Sequence, residues 1–101
     1  MRQKNYYKNR AKIAKALAHP SRLLMLDALA KKDLCVCELT EFVGADQTTV
    51  SKHLAVLKNI GLVEDRKDGL NVIYSLKVPC ILNFFSCAES VIKSNIKSGS
   101  R

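Results

Sequence analysis

Residues 43–63 read Val-Gly-Ala-Asp-Gln-Thr-Thr-Val-Ser-Lys-His-Leu-Ala-Val-Leu-Lys-Asn-Ile-Gly-Leu-Val: a turn, a capped helix and a stop, around which the rest of the chain is organised. Gly44 can end a preceding helix in the left-handed region, and Asp46 can accept from the free amides of the next first turn. The spacing therefore predicts a tight helix-turn-helix joint. At about 100° per residue, Val50, Leu54 and Leu57 share one narrow stripe with Ile60 on its border, so that face is expected to be buried. Thr48, Lys52, Ala55 and Asn59 lie opposite, with Gln47 and Ser51 flanking on one side and Thr49 on the other. Short hydrogen-bonding groups with one cation near the helix N-terminus suit a groove lined with base edges and phosphates. An ordinary solvated helix face has the same composition. The joint before this helix and the strand-turn-strand after it favour DNA.

Composition narrows the class. With 101 residues and 48% hydrophobic content, residues 1–101 are expected to form one small domain whose modest core is marginal alone, which favours dimerisation. Seventeen basic residues against nine acidic give a net charge of +8, which favours an anionic partner. No apolar run approaches a membrane span, and the N-terminus lacks the apolar core of a signal peptide. A cytoplasmic protein with no membrane partner is expected. In a reducing compartment the four cysteines are expected as free thiols, metal ligands or redox sensors rather than structural disulfides.

A first helix is expected over Lys4 to Ala18, with Ile13, Ala14, Leu17 and Ala18 as its apolar stripe. Six basic residues among the first fifteen either neutralise phosphate or are solvated, and Tyr6 and Tyr7 read as packing or dimer residues. His19-Pro20-Ser21-Arg22 ends that helix and starts a second, since proline is tolerated in a first turn and disfavours helix in the residue before it. Leu23, Leu26, Leu29 and Ala30 are expected to face the core; His19 reads as a cap, and Arg22 as either a phosphate contact or an exposed first-turn cation.

Val36, Leu39 and Val43 form the inner face of a short third helix with Cys35 and Cys37 at its entrance. Side chains two apart diverge within a helix, but where the chain enters one in a non-helical conformation both can turn to one point. Free first-turn amides and the helix dipole stabilise thiolates there, and paired thiolates bind soft metals or react with oxidants. Two small buried hydrophobes is the competing reading of equal weight.

Residues 62–76 read as two strands joined at Asp68-Gly69, a wing carrying Arg66 and Lys67 near its tip to meet phosphate. Val72, Tyr74 and Leu76 share one side of it. From Pro79 a last helix carries Ile81, Phe84, Phe85, Ala88, Ile92 and Ile96, an apolar band expected to be buried against a second subunit. Cys80 and Cys87 on that helix lie about 10 Å apart along its axis, too far to share one ion within it. The polar tail from Ser94 is expected to fray.

Leu17-Ala18-His19-Pro20-Ser21-Arg22-Leu23, Leu34-Cys35-Val36-Cys37-Glu38-Leu39 and Thr49-Val50-Ser51-Lys52-His53-Leu54, with Leu57-Lys58 and Gly61-Leu62-Val63, resemble the ArsR/SmtB family of metal-responsive repressors over nearly the whole chain. The resemblance implies a mainly α winged helix-turn-helix fold with a small β-hairpin, homodimeric through helices at 1–18 and 79–96, with a recognition helix at 47–60 and a wing at 62–76. It implies a repressor, not an enzyme, which binds operator DNA as a homodimer when metal-free and releases it on binding metal. The DNA-binding set is then Gln47, Thr48, Thr49, Ser51, Lys52, Arg66 and Lys67. The Cys-Val-Cys run resembles the box of arsenic- and cadmium-responsive members, which makes Cys35 and Cys37 metal ligands. Three departures matter: Thr40 stands where arsenic-type boxes often carry a third cysteine, residues 1–18 lack the cysteines of the cadmium/lead type, and the last helix lacks the Asp and His ligands of the zinc type. Cys80 or Cys87 remains as the third ligand. As(III) or Sb(III), which take three sulfurs, rank first and Cd(II) or Pb(II) next, with no permanent cofactor. The alternatives are a thiol-based sensor of peroxide or reactive sulfur on the same fold and, less well supported, a thiol-disulfide oxidoreductase using Cys35 and Cys37.

Overall fold

The computed structural model describes residues 2–99, and side chains from Asn5 to Ser94. In chain order the elements are α1 (Arg2–Leu17), α2 (Pro20–Lys31), β1 (Leu34–Cys35), α3 (Val36–Val43), α4 (Gln47–Asn59), β2 (Val63–Asp68), β3 (Asn71–Leu76) and α5 (Cys80–Gly99).

Local chemistry sets the element ends. His19 sits in an extended conformation and accepts at Nδ1 from the Ser21 amide at 3.2 Å, so it caps α2, with Pro20 in the first turn where no amide partner is needed. Gly44 ends α3 at φ 74, its amide donating to the Thr40 carbonyl at 2.9 Å, a left-handed cap that a Cβ would strain. Asp46 departs from expectation. It is the N-cap residue of α4, but its carboxylate accepts from the Thr49 hydroxyl instead of from a first-turn amide. That hydroxyl holds the Asp46 carboxyl below the usual carboxylate range.

The sheet has three antiparallel strands in the order β1-β3-β2, one more than the hairpin read from sequence. Leu34 and Cys35 pair with Tyr74 and Ile73, a contact between segments too far apart in sequence for a short-range strand signal to reveal. The wing turn is also displaced by one residue. Asp68 pairs with Asn71, which puts Gly69 and Leu70 in the loop. Gly69 takes φ 66 and Leu70 a negative φ, the requirement of a two-residue turn with glycine first. The Lys77 amide closes the base of the wing on the Leu62 carbonyl at 2.9 Å.

The core gathers Leu17 from α1, Met25, Leu26 and Leu29 from α2, Leu34 from β1, Leu39 from α3, Val50, Leu54 and Leu57 from α4, and Leu62 and Val63 beyond it. Each such side chain contributes about 1.5–3 kcal/mol on burial, so α3 and α4 are held by their inner faces. The alanines behave otherwise than the stripes suggest: Ala14, Ala18 and Ala30 are exposed, while Ala16 and Ala28 take interior places, as does Met25. The inner face of α1 is Ile13, Ala16 and Leu17, and the helix packs against α2. In α5, Phe85, Ile81 and Leu82 pack on the core, but Phe84, Val91 and Ile92 are exposed; the Ile96 side chain lies outside those described. The Cα radius of gyration is 16.0 Å, against about 13 Å for a compact chain of this length. The surplus accompanies α1 and α5, which leave Tyr6, Tyr7 and Phe84 uncovered.

Candidate nucleic-acid interface and cysteine pair

Burying Val50, Leu54 and Leu57 turns the other side of α4 outward, where Gln47, Thr48, Ser51, Lys52 and Ala55 line one shallow, open depression. Four of these carry hydrogen-bonding groups, and Lys52 supplies the charge. Thr49 stands apart from them: it is half-buried, and its hydroxyl is committed to Asp46.

The helix bearing this face is pinned from behind. His53 is 8% exposed, the one buried polar side chain among the described residues, and its Nδ1 accepts from Arg22 Nε at 3.1 Å. The same guanidinium donates through Nη1 to the Ala16 carbonyl at 3.2 Å, so one side chain links the end of α1, the start of α2 and the middle of α4. The His19 ring lies against His53 with centroids 4.4 Å apart. Burial, then the neighbouring His19 and Arg22, push the His53 pKa below its ordinary value. A neutral imidazole is required, because only an unprotonated Nδ1 accepts from Arg22. Arg22 is thus a structural clasp, and no local signal showed it.

On the wing, Lys67 is exposed, whereas Arg66 donates to Asp33 at 2.8 Å and to Ser75 at 3.2 Å. Arg66 is opposite Ile73, within the ladder and not at the tip. Its guanidinium holds the Asp33 carboxyl below the usual range, with help from Ser75. Lys58 of α4 bridges to Asp65 of β2 at 3.0 Å and sets the wing against the helix. Both pairs are solvent-exposed, so each contributes little to stability and mainly positions side chains.

Cys35 is the N-cap residue of α3. Its sulfur accepts from the Glu38 amide at 3.4 Å while the Glu38 carboxylate accepts from the Cys35 amide at 3.0 Å, a capping box with sulfur in place of a hydroxyl. The extended backbone at Cys35 (φ -83, ψ 167) lets its side chain meet that of Cys37, two residues on in the first turn of α3. The two sulfurs are joined as a disulfide, with Cα atoms 5.4 Å apart. Helix entry thus brings the two thiols close enough to bond when oxidised, a proximity that a pair of metal ligands and a redox pair share. Cys35 is buried and Cys37 exposed, so a reagent reaches the pair through Cys37. Cys80 and Cys87 are free and exposed, and no group of three His, Cys, Asp or Glu suited to a metal occurs among the described residues. The fold of one chain therefore does not bring either α5 cysteine to the Cys35–Cys37 pair as a third ligand. No helix among the described residues is long and apolar enough to cross a membrane.

A family model described as bacterial regulatory protein, arsR family, matches residues 19–65, from the cap of α2 into β2. The uncharacterized HTH-type transcriptional regulator Rv0081 of Mycobacterium tuberculosis is 37% identical over 93 residues, 91% of this chain and 82% of that protein. Its crystal structure superposes with a TM-score of 0.81 at 34% identity, covering 95% of this chain and 97% of the other. The transcriptional repressor SmtB homolog of Synechocystis is 40% identical over 75 residues, 74% of this chain but 57% of that protein. The homodimeric winged helix-turn-helix DNA-binding domain Mb0332 of Mycobacterium bovis, described as a possible ArsR-family regulator, superposes with a TM-score of 0.80 at 30% identity, covering 96% and 90% of the two chains.

Proposed function

The chain belongs to the arsR family of bacterial regulatory proteins, and from that premise we propose that it is a homodimeric repressor whose α4 faces and wings read operator DNA and whose Cys35–Cys37 pair takes the inducer. Gln47, Thr48, Ser51 and Lys52 read the major groove, Thr49 orders the first turn of α4 through Asp46, and Lys67, with Arg66 once it leaves Asp33, meets phosphate. The two reading heads are joined through α1 and α5, whose exposed Tyr7, Phe84 and Ile92 a second copy would cover. The site is intracellular, where the thiols are kept reduced.

The observation that carries the effector reading is the meeting of two sulfurs at the N-cap of α3. Reduced and deprotonated, they present two soft donors to As(III) or Sb(III) first and to Cd(II) or Pb(II) next. The third sulfur has to come from elsewhere, and Cys80 or Cys87 on α5 of the second copy is the source we favour. A bound thiophilic ion would draw the Cys35 sulfur from the Glu38 amide, releasing the cap that starts α3, and would strain β1, which is paired with wing strand β3. Both paths lead to DNA-reading elements.

A second reading rests on the disulfide itself. A reduced Cys35–Cys37 pair could pass two electrons and two protons to peroxide, yielding the disulfide and two waters, and so report oxidant instead of metal. Titrating operator-bound protein with arsenite, cadmium, lead and peroxide, each under reducing or metal-free conditions as appropriate, separates the two. Release by arsenite in the presence of a phosphine reductant supports the metalloid site; release by peroxide alone supports the redox sensor.

A further inference from the structure

Between the C-terminal halves of α1 and α4 lies an open cleft of about 550 Å³ lined by Lys12, Lys15, Ala16, Arg22, Val56, Asn59 and Ile60. Its charged lining is entirely cationic. Of the five guanidinium N–H groups of Arg22, one bonds His53 and one the Ala16 carbonyl, and the others have no acceptor among the described residues. Ile13, Ala16 and Leu17 bind α1 to its own core, and this seating turns Lys12 and Lys15, three residues apart on one flank, toward the end of α4.

The cleft continues the reading face. Asn59 lies on the outward side of α4, one turn beyond Ala55, and from Thr48 to Asn59 the helix rises about 16 Å. A B-form major groove is only about 12 Å wide. If α4 crosses the groove at a slant, with Thr48 and Lys52 at base edges, its last turn meets the groove wall, where the phosphates run. There Lys58 of α4 is already paired with Asp65, and the further cations come from α1 and α2.

We infer that the Lys12–Lys15–Arg22 cleft seats a backbone phosphate of the bound duplex, which makes α1 a DNA-contacting helix as well as a connecting one. The inference rests on the DNA-binding reading of α4. The phosphate bridges the two lysines to the guanidinium donors left free by His53 and Ala16, so the group that clasps α4 also anchors the duplex.

The test uses the full chain with reduced cysteines and a duplex selected by the protein from a random pool. Wild-type binding and a Lys12→Gln/Lys15→Gln double variant are compared by the salt dependence of affinity and by phosphate-ethylation interference. Arg22 is left in place because its loss would disturb the fold. The expected result is a log-log salt slope shallower by about 0.9 for each phosphate lost, and so by about two in a dimer, together with the disappearance of one discrete ethylation position per half-site and an unchanged base preference. Unchanged slope and interference in that variant, while Thr48→Ala and Lys52→Ala still weaken binding, overturns the cleft and spares the reading face. A uniform weakening with no interference position lost also overturns it, since that reports net charge alone. If millimolar inorganic phosphate raises the melting temperature of wild type but not of the double variant, with DNA interference unaltered, the cleft is a small-anion site and the inference is again overturned. Failure of wild type to bind any duplex would instead sink the DNA reading itself.

Discussion

Arg22 Nε donates to His53 Nδ1 at 3.1 Å across 31 residues of sequence, tying the first turn of α2 to the buried side of the helix that carries the reading face. The bond exists only while His53 is neutral, and burial keeps it so. Its free histidine pKa lies near 6.5 and the folded value lower, so between the two the unfolded chain binds the extra proton. Stability should be flat above about pH 6.5 and fall as the pH drops below it. Asp33 and Asp46, also shifted down, keep their contribution until the pH falls below the ordinary aspartate value of about 3.9, a separate window. Denaturant melts between pH 5 and 8 check this, and His53→Gln, which keeps an acceptor without the titration, should flatten the curve. An equal slope in that variant would remove His53 as the cause.

His53→Ala leaves the Arg22 Nε donor unpaired in a part-buried position and opens a small cavity. A loss of about 1–3 kcal/mol is expected, with base preference retained in whatever fraction stays folded. Loss of sequence preference at full stability would show that His53 faces DNA, contrary to its burial.

Thr48→Ala and Lys52→Ala change exposed side chains and should leave the melting temperature alone. Each should weaken operator binding by about 1–3 kcal/mol. Thr49→Ala should behave differently: it removes the hydroxyl bonded to Asp46 and acts through the start of α4. Unchanged affinity in both Thr48 and Lys52 variants, measured by fluorescence anisotropy, would move the reading face elsewhere.

Cysteine substitutions separate ligation from capping. Serine is a strong N-cap, so Cys35→Ser keeps an acceptor for the Glu38 amide and should fold and bind DNA normally while losing the arsenite response. Cys35→Ala should cost about 0.5–2 kcal/mol from the lost cap as well. Cys37→Ser should lose the response with no stability change, and one of Cys80→Ser and Cys87→Ser should lose it in part. Wild-type arsenite release in both Cys35→Ser and Cys37→Ser would place the sensor on α5.

The dimer contact is tested on α5. Phe84 is 63% exposed while Phe85 packs on the chain's own core, so Phe84→Glu, and not the neighbouring position, is the clean interface variant. Sedimentation should show a folded monomer with weak operator affinity. Phe85→Glu should instead lower the melting temperature. A stable, DNA-competent dimer of Phe84→Glu would place the interface elsewhere.

What the sequence by itself determined is whatever depends on neighbours within about one helical turn. The period of Val50, Leu54 and Leu57 marks the buried side of α4; Gly44 demands a left-handed turn; His19 before Pro20 starts α2; and Cys35 at a helix entrance can face Cys37. Those local rules sufficed for the winged helix-turn-helix order, because each element's ends and inner face are encoded within it. What only the tertiary structure decided depends on distant segments meeting. Alanine is too small to mark a face, so whether Ala14 or Ala16 is interior waited on how α1 seats against α2. The β1–β3 pairing, the Arg22–His53 clasp, the Asp33–Arg66 pair and the cationic cleft between α1 and α4 join residues tens of positions apart. Their partners are chosen by packing geometry, which follows from the whole core and from no single stretch of the chain.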